Sequence, residues 1–477
     1  MIVHLPYGRQ GLDVDVPDHA HVLLPERLPP LADPLEAIRQ ALRQPIGSPP
    51  LAELVRPEDT VAIAFSDITR PTPSHIMLPA ILDGLAGVGV RRENVALVNG
   101  TGMHRPNTRE ELIGMLGEEV VDGYRIVQHD ARDRRQHAFV GRNKRGAEIW
   151  VNRDYLEANV RILTGFVEPH IFAGYSGGGK ALLPGIAGAE IIMSNHGGPM
   201  LAHPKATWSQ TKGNPVFEEM RKVALATRPT FLLNVTLNER KEITGVFAGD
   251  LVSAHDAGIA FAEGAYLRRV PQRYDIVLST NMGYPTDINL YQSIKGMSVA
   301  AQGVKEGGVV VLTAECAEGM GQPHFEEMVT WRKSARELLE MVLAPDFAEL
   351  EQWAIQCQTM VQAKADVYLH STMTRAETER AHLKHSADVH ATLAALRERS
   401  LSRNGGDEPS ILVLPYGQLT VPRVEGWRRE SPPSPPPGRG RRRRPQPPCR
   451  AGTPGPPAPA PAPEAPPGRS PPTRSGP

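Results

Sequence analysis

The sequence has little of what marks secreted and membrane proteins. Its 477 residues include only three cysteines, at positions 316, 357 and 449, too few and too scattered for a disulfide framework or a paired-cysteine metal site. No apolar run reaches the roughly 18 residues that a transmembrane helix needs. The N-terminus lacks the basic and apolar regions of a signal peptide. We therefore expect a cytoplasmic protein that does not span a membrane.

Charge and proline are distributed unevenly along the chain. From Arg428 onward, ten arginines and two acidic residues give a net charge of +8, so the preceding residues carry −8. The same segment holds 19 of the 46 prolines. Such a composition buries too little apolar surface to offset the entropy of ordering, so residues 428–477 are predicted to be a disordered, low-complexity tail. Its arginines leave nucleic-acid binding open for the tail, but not for the body.

The body of the chain alternates short apolar runs with amphipathic segments. The apolar runs predict buried strands of mostly parallel sheets at 60–65, 94–98, 161–167, 274–278, 308–312 and 411–414. Helical patterns lie at 74–86, 108–117, 216–226, 334–342 and 347–357. The predicted fold class is α/β, with two α/β domains. We expect domains at 1–270 and 271–407, and segment 408–424 could join the first.

Unusual polar side chains follow the first three predicted strands. Asp67 and Arg70 follow the first strand, His104 the second and His170 the third. Ligands of open α/β sheets gather beyond the carboxyl ends of the strands. A single histidine is usually a surface or hydrogen-bonded residue, but histidines in glycine-rich turns at successive strand ends favour a common site.

The segment from His170 to His196 is the most unusual in the chain. Glycines 177–179 can adopt positive φ and bring backbone N–H groups close to an anion. Lys180 supplies a positive charge or an amine that can form a covalent bond. The imidazoles of His170 and His196 can ligate a metal or transfer protons. This combination indicates an active site.

From the residues alone, two other kinds of enzyme stay open. Residues 174–180 match G-x-x-x-x-G-K, which would suit a P-loop-like phosphate-binding enzyme, although Ala181 stands where a P-loop needs Ser or Thr. A zinc-type hydrolase could use His104, His170 and His196. It would lack an H-E-x-x-H pair and a carboxylate at ligand spacing.

Taken together, the motifs resemble the lactate racemase family that uses a nickel-pincer nucleotide. The resemblance spans residues 1–424 in matching order and is carried by SDITRP at 66–71, TGMHRP at 101–106, EPHIFAGYSGGGKALLPG at 168–185, NH at 195–196, NLYQSIK at 289–295 and EQW at 351–353. It implies an α/β enzyme with its active site in the cleft between two domains, a racemase or epimerase of 2-hydroxy acids such as lactate. It also implies partner proteins that make and insert the cofactor.

The resemblance implies a role for each matching residue. Lys180 would hold the cofactor, a nickel pyridinium-3,5-bisthiocarboxylic acid mononucleotide, through a covalent thioamide link, and His196 would ligate the nickel. His104 and His170 would be the acid/base pair on opposite sides of the substrate. The substrate-binding residues would be Arg70, Lys295, Tyr291, Gln292 and Trp353. The remaining cofactor contacts would be Asp67, Thr101, Ser176, Gly177, Gly178 and Gly179, with Asp67 orienting Arg70 or a histidine.

This chemistry accounts for the residue types. The Cα–H of a 2-hydroxy acid is too weakly acidic for histidine to remove, and reversible hydride transfer from Cα to the cofactor avoids a carbanion. One histidine takes the hydroxyl proton, and the planar 2-keto acid can receive hydride on either face. Two bases are needed because the two enantiomers present their hydroxyls differently.

Overall fold

The computed structural model describes residues 1–344, 346–403 and 405–425. It contains two six-stranded sheets, each mostly or entirely parallel, which confirms the predicted α/β fold class. The predicted tail at 428–477 lies outside the described residues. Within the described ranges, no helix is long and apolar enough to cross a membrane.

The first sheet has one antiparallel edge and is otherwise parallel. Its strands, in spatial order, are Ile243–Gly249, Phe231–Leu237, Val160–Phe166, Val61–Ser66, Val95–Gly100 and Arg125–Gln128. Most residues of the four inner strands are buried, which explains why these runs are apolar throughout rather than alternating. Three of the strands predicted from the apolar runs are therefore neighbours in space.

The second sheet is parallel throughout. Its strands, in spatial order, are Lys384–His385, Asp366–His370, Val304–Thr313, Tyr274–Thr280, Ile411–Leu414 and His21–Val22. The strand Ile411–Leu414 thus lies beside Tyr274–Thr280 in this sheet, and the short strand His21–Val22 brings the N-terminal region to the same sheet. The domain limits at residues 270 and 407 stay predictions.

Four two-stranded pairs complete the strand pattern. Three are antiparallel, Ile2–Leu5 with Leu12–Asp15, His137–Arg142 with Glu148–Asn152, and Pro169–His170 with Gly174–Tyr175. The fourth is parallel and joins Leu267–Val270 to Val421–Val424. The third pair matters for the site, because its connecting turn holds the ring of His170.

Fifteen α-helices occur in the described part of the chain. They are Pro34–Arg43, Ser74–Val88, Arg109–Leu116, Glu118–Gly123, Arg153–Glu157, Ala189–Asn195, Gly198–Leu201, Pro215–Ala226, Leu251–Tyr266, Leu290–Gly303, Pro323–Val329, Ala335–Val342, Gln352–Lys364, Arg375–Arg380 and Val389–Arg403. Short 3₁₀ turns lie at Leu51–Glu53, Arg92–Asn94, Arg134–Gln136, Gly178–Ala181 and Gly417–Leu419.

Four of the five predicted helices are confirmed to within about two residues at either end. The helix predicted at 347–357 is wrong in its start, because the observed helix begins at Gln352 and continues to Lys364. Glu351 has a φ of 64°, in the left-handed region, so the backbone turns sharply there. That turn sets Trp353 in the first turn of the helix, facing the site described below.

Candidate active site

The carboxyl ends of three neighbouring strands of the first sheet open into one cleft of about 160 Å³. Its walls include eleven of the fifteen predicted site residues, namely Asp67, Arg70, Thr101, His104, His170, Ser176, Gly177, Lys180, His196, Tyr291 and Trp353. Four others, Gly178, Gly179, Gln292 and Lys295, do not line its wall. The polar residues that follow Val61–Ser66, Val95–Gly100 and Val160–Phe166 therefore meet as the sequence predicts.

His104 is held by a buried carboxylate. Its Nδ1 lies 2.7 Å from Oδ2 of Asp67, and the other oxygen of Asp67 accepts a hydrogen bond of 2.8 Å from Thr69 Oγ1. Burial raises the pKa of Asp67, but the hydrogen bond and charge of His104, together with the charge of Arg70, lower it overall. Asp67 therefore serves as an ionised partner that orients His104.

His170 is held by the backbone of the turn that follows it. Its Nδ1 accepts from the N–H of Ala173 at 3.2 Å and, more distantly, from that of Phe172 at 3.5 Å. Burial, and then the positive charges of Lys180 and Arg70, lower the pKa of His170 well below its usual value. The ring is therefore neutral in the free protein.

The ring of Phe172 separates His170 from His196. It makes edge contacts with both imidazoles, at centroid distances of 4.8 and 5.0 Å, and His196 in turn contacts Trp353 at 5.7 Å. Burial, and then the charge of Lys180, lower the pKa of His196 to about 3. Its Nδ1 is buried and has no hydrogen-bond partner among the described residues. The ring lines the cleft and is neutral, so it can offer a lone pair to whatever occupies the cleft.

Three basic side chains, those of Arg70, Lys180 and Lys295, lie near one buried carboxyl group, that of Glu168. Burial, and then the charges of Arg70 and Lys295, lower the pKa of Lys180 to about 7. Burial and Arg70 likewise lower the pKa of Lys295 to about 8. Burial raises the pKa of Glu168 against the opposing effect of the three cations. An excess of positive charge in a buried cleft favours anionic ligands.

The glycine-rich loop is shaped by close packing. Gly178 has a φ of 53° and its amide donates to Asn234 Oδ1 at 2.8 Å. A Cβ on Gly178 would stand 2.1 Å from the ring of His255, and one on Gly179 would stand 2.8 Å from the carbonyl oxygen of Met220. The amide of Lys180 is bonded to the carbonyl of Gly177. At least two amides of the loop are thus used within the protein, unlike those of a P-loop that cradles phosphate.

The hydroxyl groups of Ser176 and Thr101, two of the predicted cofactor contacts, are also hydrogen-bonded within the protein. Ser176 Oγ donates to the carbonyl of Phe166 at 2.8 Å and accepts from the amide of Glu168 at 2.9 Å. Thr101 Oγ1 donates to the carbonyl of His129 at 2.5 Å. Both side chains fix the turns that carry the histidines.

The second sheet's side of the cleft contributes an aromatic pair. Trp353 Nε1 donates to the hydroxyl of Tyr291 at 2.9 Å. Behind the pair, Glu351 interacts with the Tyr291 hydroxyl, and burial raises the pKa of this carboxyl group. Gln292 lies back from the wall and accepts from Lys295 Nζ at 3.0 Å. The aromatic pair covers the cleft, and Gln292 positions Lys295.

Several residues in or next to the cleft were not among the predicted site residues, including Glu168, Phe172, Asn234 and Glu351. Glu168 and Phe172 lie inside the motif that contains the glycines, and Glu351 lies inside EQW. Asn234 is the one polar amide in the buried strand Phe231–Leu237, and a buried amide in an apolar strand is itself a signal. The sequence contained these signals, but the contacts of these residues depend on segments far apart in the chain.

The described ranges contain no group of three or more His, Cys, Asp or Glu side chains that could hold a metal ion. His104 is bonded to Asp67, and Phe172 stands between His170 and His196. The three histidines therefore do not form the ligand set that a zinc hydrolase needs. A metal bound by His196 would have to bring most of its other ligands with it.

Comparison with known proteins agrees with this geometry. The family model described as the lactate racemase N-terminal domain matches residues 7–209, and that of the lactate racemase C-terminal domain matches residues 270–421. The lactate racemase of Lactiplantibacillus plantarum is 34% identical over 386 residues, which cover 80% of this chain and 89% of that protein. The chain belongs to the lactate racemase family. Membership makes it a racemase, and so an isomerase, rather than a zinc hydrolase or a P-loop enzyme.

Other members and solved structures extend the likeness. The lactate racemase of Thermoanaerobacterium thermosaccharolyticum is 34% identical over 361 residues, covering 74% of this chain and 84% of that protein. The structure of the apoprotein from that organism superposes with a TM-score of 0.83 at 29% identity, covering 89% of this chain and all of that one. A protein from Thermotoga maritima has a TM-score of 0.63 at 19% identity over 84% of this chain and all of that one, a likeness of fold alone. Lactate racemases use a nickel cofactor.

Proposed function

We propose that this racemase interconverts the enantiomers or epimers of a 2-hydroxy acid of the lactate type. The proposal includes a nickel-pincer nucleotide attached to Lys180 and ligated through nickel by His196. One observation carries it: the imidazoles of His104, His170 and His196 and the buried amine of Lys180 line the same cationic cleft.

The residues present fit such a cofactor. The lowered pKa of Lys180, about 7, leaves a substantial fraction of neutral amine near neutral pH, which is the form that can make an amide-type bond. Its Nζ has no hydrogen-bond partner in the described part of the chain. His196 offers one neutral donor and no companion protein ligands, which suits a metal whose other ligands belong to the cofactor. The chemistry such a cofactor supplies when bound is reversible acceptance of the Cα hydrogen as hydride.

The two histidines would handle the hydroxyl proton. His104, oriented by Asp67, would accept or return the proton at Nε2 for one enantiomer, and His170 would do so for the other. Asp67 stabilises the imidazolium form of His104 as it develops, because its carboxylate lies 2.7 Å from Nδ1.

The cations would hold the substrate's carboxylate and the developing charge on its hydroxyl oxygen. The guanidinium of Arg70 has no ion pair or hydrogen bond with any described residue and is free to bind a carboxylate with two parallel bonds. Lys295, positioned by Gln292, would stabilise the oxygen, an effect of about 3–4 kcal/mol for a well-placed donor. Tyr291 and Trp353 would exclude water, which strengthens both interactions.

The test is intact-protein mass spectrometry with nickel analysis, followed by a chiral assay. The chain would be co-expressed with the cofactor-synthesis proteins of a known family member. We expect about one nickel per chain, an adduct mapping to the Lys180 peptide, and conversion of a single 2-hydroxy-acid enantiomer into a mixture.

Two lysine variants make this test specific. Lys180→Ala should lose the covalent adduct, whereas Lys305→Ala, which removes a lysine paired with Asp275 on the second sheet, should keep it. An unmodified Lys180 without nickel, under conditions that load a known family member, would contradict the proposal.

A further inference from the structure

The hydrogen bonds around His104 and His170 differ in kind, although both rings face the same cleft. A neutral imidazole has one nitrogen that donates and one that accepts, and the partner of the first nitrogen decides what the second can do. At each ring the partner of Nδ1 is known from the structure. The proton positions therefore follow from the bonding network.

At His104 the partner of Nδ1 can only accept. Asp67 is buried, and the net lowering of its pKa keeps it ionised. An ionised carboxylate has no proton to donate, so Nδ1 must carry the hydrogen in the bond of 2.7 Å. Whenever the ring is neutral, Nε2 is therefore the unprotonated nitrogen.

At His170 the partners of Nδ1 can only donate. They are the backbone N–H of Ala173, at 3.2 Å, and the more distant N–H of Phe172. The lone pair must therefore be on Nδ1, and the single proton of the neutral ring is on Nε2. The antiparallel pairing of Pro169–His170 with Gly174–Tyr175 fixes the turn that presents these donors.

We infer that the neutral forms of the two histidines are held in opposite tautomers, so that His104 presents a proton acceptor to the cleft and His170 presents a proton donor. Asp67 acts as a positioning residue for His104, and the 172–173 backbone does the same for His170. Neither Nε2 is bonded to any other residue in the described ranges, so both are available to a ligand.

The asymmetry has a consequence for racemisation, which rests on the proposed function. The enantiomer whose hydroxyl meets His104 can lose its proton to the resting ring. The other enantiomer needs an unprotonated Nε2 on His170, which requires the ring to give up its bonds with the turn. Because racemisation has an equilibrium constant of one, kcat/KM must be equal for the two enantiomers. The two enantiomers can therefore differ in kcat and in KM taken separately, and in the rate of the first turnover, but not in the ratio kcat/KM.

The tautomers can be measured without activity or cofactor. The full chain would be labelled with ¹⁵N-histidine, and two-bond ¹H–¹⁵N correlations would report which nitrogen of each ring carries the proton. His104→Gln and His170→Gln would assign the two spin systems. We expect Nδ1–H for His104 and Nε2–H for His170. The same tautomer at both rings, or averaging of both, would overturn the inference.

A pair of variants tests the cause at His104. Asp67→Ala removes the hydrogen-bond acceptor of His104. The His104 Nδ1–H signal should then be replaced by an Nε2–H signal, because neutral imidazole prefers that tautomer in water. The signals of His170 should stay unchanged. Thr69→Val removes only the bond to the other oxygen of Asp67 and should leave both tautomers as they are.

The outcomes separate this inference from the proposed function. An Nδ1–H signal that persists in folded Asp67→Ala would contradict the role of Asp67. If that variant does not fold, the wild-type spectrum alone decides the tautomers. If the tautomers are opposite but the chain fails to take up nickel, this inference is retained and the proposed function is rejected. If the tautomers match and the chain is an active racemase, the proposed function is retained and this inference is rejected.

Discussion

The two sides of the cleft contribute different things. The first sheet and the segment that follows it supply His104, His170, Lys180 and His196, each on a turn or a short helix end. The second sheet's side supplies the aromatic pair of Tyr291 and Trp353 at the starts of two helices. The groups to which we assign proton exchange and cofactor binding are thus concentrated on one side. The other side covers them and adds one cation, Lys295.

This division indicates how the site keeps its chemistry precise. The reactive side chains are held by short local bonds, such as those of His170 to its own turn, or by buried partners such as Asp67. On the covering side, Trp353 donates to the Tyr291 hydroxyl, which also interacts with the carboxyl group of Glu351. Changes on the first side should therefore affect the chemical step, and changes on the second should affect binding.

The largest effect is expected from removing either histidine. His104→Ala and His170→Ala should each lower kcat by about 10²–10⁴-fold, the usual contribution of a general acid or base, while the cofactor stays bound. Chiral assays from each enantiomer, with nickel content as the loading control, would measure this. If either variant racemises the substrate at the wild-type rate in both directions, the two-base scheme is wrong.

A smaller effect is expected from the titration of Lys295 on the second side. Its pKa is lowered to about 8 because burial and Arg70 disfavour the ammonium form. The charge is therefore present below pH 8 and is lost as the pH rises through that value. If Lys295 binds the substrate's anion, KM should be constant below pH 8 and rise by up to about tenfold per pH unit above it.

Lys295→Arg is the matched control for that profile. Arginine stays protonated across this range, so the rise in KM above pH 8 should disappear in the variant. An unchanged rise in KM would assign the titration to a group other than Lys295.

The smallest effect is expected at the aromatic pair. Trp353→Phe keeps an aromatic ring against His196 but removes the hydrogen bond from Nε1 to the Tyr291 hydroxyl. Because such a bond is worth ~1 kcal/mol, KM should rise about fivefold with little change in kcat. Tyr291→Phe removes the same bond from the other end and also the interaction of the hydroxyl with Glu351, so its effect should be larger. The double variant should then cost no more than Tyr291→Phe alone. A fall in kcat as large as that of the histidine variants would contradict the assignment of the second side to binding rather than to the chemical step.

The sequence was most informative where chemistry and local pattern coincide. Asp67, His104 and His170 follow apolar runs directly, and parallel strands bring such positions to one sheet edge, so their convergence was predictable. The helix after Glu351 was predicted several residues too early, because a left-handed residue with an ordinary side chain leaves no periodic signal. The packing of Gly178 and Gly179 was also hidden, since glycine serves phosphate binding and close packing equally well.

The order of residues along the chain was enough to give the α/β class, the strand ends that carry the polar residues and the membership in the lactate racemase family. These depend on local hydrophobic periodicity and on motifs that are contiguous in the chain. The folded structure was needed to show that Asp67 holds His104, 37 residues away, that Trp353 pairs with Tyr291, 62 residues away, and that burial and the charge of Arg70 lower the pKa of both Lys180 and Lys295. These are contacts and fields between distant segments, and their strength depends on burial and distance, which no local pattern specifies.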